Sequence, residues 1–341
     1  MRHVCLATVL ALSLLPESFA LAHHSVNHFA TDRWVTLQGS VIEYEYRNPH
    51  IFVRFNAIDE FGELQDWELE GQGISLLRPR GLGPNSIVPG DVITVIANPH
   101  QDTNSRLLNG HLITLEGGRR IALHSVTPPE IAALTDLDRT TGVRATNISG
   151  TWLSSENAYF QLFQREHWKL TERGAAAQDG FDGTQIPQAN CSAPPPPRLM
   201  LWPVLHEIDL SDDLVTIRSD WMGAERSVRL NESHPEIAEP TILGHSVGYW
   251  EEDTLVVDTT HFAEAAAGIT LGIGSSERKH LVEKFSLDED RNRLLYEFEL
   301  EDPEFLEESL TGSAYLIYRP DQEFSEVDCD PENSSRFLDE I

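Results

Sequence analysis

From residue 35 to residue 115 apolar and polar side chains alternate with a period of two. The runs are Val35-x-Leu37-x-Gly39-x-Val41-x-Glu43, Ile51-x-Val53-x-Phe55, Leu64 to Leu69, Val92 to Ile96 and Arg106 to Leu115. Alternation of this kind predicts strands with one face buried. Between the third and fourth runs, Ile74 to Leu77 reads as one apolar turn of helix, ended by Arg78-Pro79 and Gly81, and Pro89-Gly90-Asp91 reads as a turn. Three strands, a short helix and two strands are the order of an OB-like small barrel, expected over 23–122. A plain β-sandwich competes; the barrel is preferred because closure removes exposed edges from so short a sheet.

The second half shows eight comparable runs. They are Leu205 to Leu210, Leu214 to Ser219, Glu225 to Leu230, Gly244 to Trp250, Thr254 to Thr259, His280 to Leu287, Arg293 to Leu300 and Ser313 to Arg319. Polar turns such as Ser211-Asp212-Asp213 and Glu251-Glu252-Asp253 join several of them. With the Gly150-Thr151-Trp152 opening, which resembles that of lipocalin and avidin barrels, the expectation over 148–341 is an antiparallel calycin-like β-barrel with an acidic tail. The chain is therefore expected to be mainly β. Thr127-Pro128-Pro129 and the polar stretch after it predict a linker over 123–147 with a short helix. Cys191 to Pro197 predicts an extended proline-rich strap.

The start of the chain changes the compartment. Met1-Arg2-His3, an apolar run from Val4 to Leu15 and the small-x-small Ala20-Leu21-Ala22 predict a signal peptide over 1–22. The run is shorter than the ~20 residues that span a bilayer. A soluble periplasmic or secreted protein is expected. There an oxidising environment permits a disulfide between Cys191 and Cys329; two buried free thiols are the alternative.

Of 341 residues, 55 are acidic and 25 are Lys or Arg, a net charge of −30, with Lys at only 169, 279 and 284. Residues 23–122 carry a net −4 and residues 123–341 a net −26. A balance this acidic excludes nucleic acid as a partner, since phosphate binding needs clustered cations. It suggests a salty exterior that screens self-repulsion. The acidic runs Glu297 to Glu308 and Asp321 to Glu340 lack an Asp-x-Asp-x-Asp-Gly loop and read as solvated faces.

Two stretches resemble exported families of uncharacterised function. Ala22-His23-His24-Ser25, Asn48-Pro49-His50, Trp67-Glu68-Leu69-Glu70, Pro89-Gly90-Asp91 and Gly118-Arg119-Arg120 make residues 22–122 similar to one of them. The second is marked by Gly-His-Ser-x-Gly-x-Trp-Glu-Gly-Asp-Thr-Leu-Val-Val-Asp-Thr, which residues 244–259 resemble, with Glu252 in place of a Gly. His234-Pro235, Pro240-Thr241, Ser276-Glu277 and Glu301-Asp302-Pro303 extend that resemblance over roughly residues 148–310. The resemblances imply fold and compartment and no reaction.

Chemistry is sought among the histidines. Cleavage after Ala22 would make His23 the terminal residue, whose α-amine and imidazole, with a further imidazole, form a T-shaped site suited to copper or zinc. His50 and His111 are the further candidates in a half that holds six of the fourteen histidines and no methionine after the signal. In the second half, alternation puts His245, Val247 and Tyr249 on one face and Ser246, Gly248 and Trp250 on the other. Gly248 leaves room for a ligand or for a neighbouring backbone. Asp258 lies on the partner strand, and Glu207, Arg226, His234, Glu277 and Glu283 are candidates to approach the same opening. A serine hydrolase is not expected, because Ser246 sits in no Gly-x-Ser-x-Gly elbow.

Three readings result. The first is an exported β protein that binds a small ligand at the mouth of the C-terminal barrel, near His245, Tyr249, Trp250, Glu207, Arg226 and His234. The second is a lyase-, isomerase- or hydrolase-type enzyme using His245 with Asp258 or a nearby Glu. The third is copper or zinc binding through His23, His50 and His111. No membrane span is expected, and protein partners are left open.

Overall fold

A computed structural model describes residues 28–48, 50–124, 140–155, 168–181, 191–270, 272–324 and 329. The expected signal peptide, His23, and the expected helix from Pro129 lie outside the described residues. The chain forms two β-barrels, the first of five strands and the second of nine.

In the first, β1 (Val35–Glu45), β2 (Ile51–Ile58) and β3 (Leu64–Gly71) form a meander, α1 (Ile74–Leu77) follows, and β4 (Val92–Pro99), β5 (Leu107–Thr114) and β6 (Arg120–Ala122) complete the sheet. The sheet order is β3-β2-β1-β4-β5-β6, and a parallel β3–β5 pair closes it into a barrel with β6 outside the ring. β1 serves two neighbours, β2 and β4, and bends at a bulge between Val41 and Glu43. Alternation then places Ile51, Val53, Phe55, Leu69, Val95, Leu108 and Ile113 in a core sealed from water. Asn48, in the β1–β2 connection, satisfies the first N–H of α1: its Oδ1 accepts from Ile74 N–H at 2.8 Å.

The second barrel runs β7 (Gly150–Ser154), α2 (Glu172–Asp179), α3 (Arg198–Leu201), β8 (Leu205–Leu210), β9 (Leu214–Ser219), β10 (Ala224–Leu230), β11 (His245–Glu251) and β12 (Thr254–Thr260). There follow a separate hairpin of β13 (Ala265–Thr270) and β14 (Ile273–Ser275), then β15 (His280–Leu287), β16 (Arg293–Glu301) and β17 (Leu310–Tyr318). The ring is β10-β11-β12-β15-β16-β17-β7-β8-β9. It departs from the antiparallel expectation at one joint, because β10 and β11 pair in parallel. A parallel pair needs a crossover, and residues 231–244 provide it.

On β16, Leu294, Tyr296, Phe298 and Leu300 are buried while Glu297, Glu299 and Glu301 are exposed. Much of the negative charge is thus the outward half of an alternating wall. The interior packs Trp152, Ile208, Ile217, Val257, Phe285, Tyr296 and Leu316. Within it lies one buried polar network. Arg226 donates to both carboxylate oxygens of Glu283, at 3.1 and 2.5 Å, and to Thr259 Oγ1 at 3.2 Å. Tyr296 Oη–H donates to Glu283 at 2.8 Å. Bidentate pairing and neutral partners compensate the desolvation of both charges. Arg226, Glu207 and Glu283 therefore do not meet at one opening: Arg226 and Glu283 are inside the wall, and Glu207 pairs with Arg218 at 2.5 Å.

The proline-rich strap is fixed twice. A Cys191–Cys329 disulfide anchors its start, with the two Cα atoms 5.8 Å apart. Buried Lys279 donates to Pro196 O at 2.6 Å and to Gly268 O at 3.2 Å, with its ammonium 4.4 Å from the centre of the Phe262 ring. The two barrels meet where α1 faces the β9–β10 turn. Arg78 reaches the buried carboxylate of Asp220 at 2.5 Å, and Ser75 Oγ–H donates to Asp220 O at 2.9 Å.

Candidate functional site

β11 and β12 pair antiparallel, with Ser246 opposite Thr259, Gly248 opposite Val257, His245 opposite Thr260 and Val247 opposite Asp258. Ser246 and Thr259 are buried and hydrogen-bonded to each other at 2.9 Å, so their face is the interior. His245 and Asp258 consequently stand on the outer face of the wall. Gly248 has no room beside it for a ligand: a Cβ there would lie 2.8 Å from Val228 Cγ1 and 3.1 Å from Val256 O. The close approach of β10 is what demands glycine.

Three further histidines gather at this place. His234 arrives on the crossover, His261 follows β12 with a left-handed φ of 54°, and His280 opens β15. Asp258 is the centre. Its Oδ1 lies 2.9 Å from His234 Nε2 and its Oδ2 lies 3.0 Å from His280 Nε2. A carboxylate only accepts, so both imidazoles present N–H to it. His234 Nδ1 lies 2.9 Å from His245 Nδ1. With the proton of neutral His234 on Nε2, its Nδ1 accepts and His245 donates from Nδ1–H. The Nε2 lone pair of His245 is then the open end of a chain His280–Asp258–His234–His245. His261 Nδ1 is 2.8 Å from Thr260 Oγ1. The His234, His245 and His261 ring centres form a triangle with sides of 5.1, 6.1 and 6.2 Å.

Burial holds the His245 pKa below the ordinary imidazole value, and the neighbouring His234, His261 and Arg229 press the same way against a smaller opposing pull from Glu232. His245 is thus neutral at pH 7, with a lone pair to offer. The side chains of His234, Asp258 and His280 are 21%, 32% and 37% exposed, so solvent and solutes reach the cluster.

Of the residues singled out from sequence, His245, Asp258 and His234 are brought together, with His234 standing between the other two. Tyr249 and Trp250 are exposed and lie further down β11, about 13 and 17 Å from His245 at the usual strand rise. Glu277 is exposed, in the connection between β14 and β15. In the first barrel, His50 Nδ1 is 2.9 Å from Glu70 Oε1. Burial opposes the charged ring there, but the Glu70 charge and hydrogen bond raise its pKa overall. His111 Nε2 is 2.7 Å from Asn98 Oδ1, and burial lowers its pKa to about 4. The two are engaged by different partners. Among the described residues, no group of three or more His, Cys, Asp or Glu side chains is set to hold a metal ion as it stands.

His261 and His280 were not anticipated as site residues. His280 opens a legible strand, and the pairing of β12 with β15 would have been needed to bring it to Asp258. His261 has no sequence signal, since its place depends on a left-handed turn.

Among the described residues no helix is long and apolar enough to cross a membrane. Residues 13–109 match DUF6152, a family of unknown function, so the N-terminal part of the chain carries a domain similar to that family. No curated protein matches the chain.

Proposed function

We propose that this is an exported protein whose C-terminal barrel binds a small ligand on its outer wall, through the imidazoles gathered at Asp258. The observation that carries this is the joining of His234 and His280 on the Asp258 carboxylate, with a neutral His245 hydrogen-bonded to His234 and the cluster open to solvent. The barrel interior offers a poorer site, because its inward positions hold packed aromatic rings and a bidentate Arg226–Glu283 pair. The order β1-β2-β3-β5-β4 with its parallel β3–β5 pair, and a helix between β3 and β4, support an OB-like reading of the first barrel. The parallel β10–β11 joint sets the second apart from a simple up-and-down calycin barrel. Export rests on the basic, apolar and small-x-small start of the chain and on the disulfide.

A second reading, acid–base catalysis, is favoured by the continuous chain of 2.9–3.0 Å contacts that ends on His245. Asp258 would fix the His234 tautomer and His234 that of His245, leaving His245 Nε2 to take a proton from a bound substrate. Both readings are tested on ¹⁵N-histidine-labelled protein, whose ring nitrogens report tautomer and contact. The expected spectrum shows His245 protonated on Nδ1 and His234 on Nε2. In a screen of small acids, amines and phenols, a binder should move the His234 and His245 signals together, and H245Q should abolish its binding. A His245 protonated on Nε2 would exclude the catalytic chain. A screen in which no compound moves these rings would remove the ligand site.

A further inference from the structure

We propose that the ligand of this cluster is a divalent transition-metal ion, held by His234, His245 and His261. The inference rests on the reading of the cluster as a ligand site and goes beyond it by naming the ligand. It begins with the 2.9 Å separation of His234 Nδ1 and His245 Nδ1. Two bare imidazole lone pairs do not face each other at that distance; the proton of the His245 Nδ1–H···Nδ1 His234 hydrogen bond lies between them. A metal ion can take the place of that proton and use both nitrogens as donors. Metal binding would displace the shared proton, as it does wherever a ligand must give up hydrogen.

The surroundings fit the metal. The ring nitrogen of His234 remote from His245 is 2.9 Å from Asp258 Oδ1. A carboxylate behind an imidazole in this way orients the ring and raises the basicity of its other nitrogen, and it recurs behind metal-bound histidines. His261 repeats the arrangement with a hydroxyl, Thr260 Oγ1 at 2.8 Å from Nδ1, which leaves Nε2 to serve as donor. The triangle of rings has nearly the required size. An imidazole bound at 2.0–2.1 Å has its centre about 3.2 Å from the metal, so three rings around one tetrahedral ion have centres about 5.2 Å apart. One observed side is 5.1 Å and the other two are 6.1 and 6.2 Å. Closing them takes a movement of about 1 Å by the His261 ring, from a residue that follows the last position of β12. As the rings stand they hydrogen-bond to one another and to their neighbours instead of converging on one point.

Three neutral nitrogen donors select zinc, copper(II), nickel or cobalt over magnesium and calcium, which prefer oxygen. Three protein ligands leave a fourth position on the ion for water or another small molecule.

The test uses the full chain, stripped with chelator and titrated with Co²⁺ and then Zn²⁺. The expected result is one ion per chain, visible Co²⁺ bands of four-coordinate intensity that Zn²⁺ quenches, proton release on binding, and shifts of the His234, His245 and His261 ring nitrogens. H234Q/H245Q/H261N should weaken binding at least ~100-fold, and D258N ~10–100-fold, the usual effect of losing such a supporting carboxylate. Asn is chosen at 261 because it tolerates a left-handed φ. H280Q, which removes only the other partner of Asp258, should weaken binding less than ~10-fold. The wild-type ring shifts need no variant, so a misfolded mutant leaves the test intact. The proposal is overturned if wild-type protein takes up neither ion, or if the triple variant binds as wild type does. Metals that leave these rings unmoved while an organic compound shifts them would overturn the metal and spare the ligand site. If neither moves them, both fall.

Discussion

Acid should loosen the second barrel through His206. This side chain points inward from β8, opposite Trp152 on one side and Ser219 on the other, and is sealed from water. Its Nε2 lies 3.4 Å from Trp202 O, an acceptor, so the proton of the neutral ring is on Nε2. Nδ1 has no hydrogen-bond partner among the described residues. A second proton would sit on that nitrogen, charged and without an acceptor. Burial accordingly lowers its pKa from 6.5 to about 4, opposed by the Trp202 carbonyl. The unfolded chain takes up this proton below pH ~6.5 and the folded chain only below about 4, so stability falls as pH drops between the two. At ~1.36 kcal/mol per pH unit the full loss is roughly 3.4 kcal/mol, of which about 3 is lost by pH 4. Urea unfolding of wild type and H206L at pH 7 and pH 4 isolates the contribution, because the other titrating groups are common to both proteins. At pH 7 the variant should be within about 1 kcal/mol of wild type, the worth of one hydrogen bond. On going to pH 4 the balance should shift by about 3 kcal/mol in favour of the variant. A difference between the two proteins that does not change with pH would refute the argument.

Other outcomes follow from the packing. C191S/C329S opens a loop of 138 residues, for which chain entropy predicts about 5 kcal/mol and a Tm lower by roughly 10–20 °C in a scan without reductant. E283A strands Arg226 inside the barrel and should cost ~3–5 kcal/mol, whereas R226M/E283L, which removes both charges, should recover most of it in a double-mutant cycle. R78M takes from Asp220 the guanidinium at its carboxylate, which burial already raises to about 8 against the pull of Arg78. The carboxyl pKa, already raised, should rise further, and calorimetry should resolve separate transitions for the two barrels.

The strands of both barrels were legible because burial on one face imposes period two on the residues themselves. Val228, Arg226 and Ala224 read as a strand face despite the charge in the middle, and the wall accepts Arg226 because Glu283 answers it. The hairpin β13–β14 was not legible. Its Ala265-Ala266-Ala267-Gly268 run has almost no alternation, and its placement comes from packing against Phe305 and the strap. Of the candidate site, His245, Asp258 and His234 could be named from their strands and spacing. Which side of the wall they occupied could not, because His245 and Ser246 are equally compatible with an inward position until Arg226 and Thr259 claim the Ser246 side. His261 joins the His234 and His245 rings through a left-handed turn and His280 reaches Asp258 through a strand pairing, neither of which is written in local sequence.

The parallel joint between β10 and β11 also orders events in time. Five neighbouring pairs in the ring, β8–β9, β9–β10, β11–β12, β15–β16 and β16–β17, are joined by short connections, and such contacts form early and fast. β10 and β11 can align only after residues 231–244 have carried the chain back along the full length of a strand. That same excursion delivers His234 to Asp258. The imidazole signals of His234 and His245 should therefore reach their native positions only when this joint has formed, after the hairpin pairs. The cluster thus reports the closing of this parallel joint, readable at two side chains.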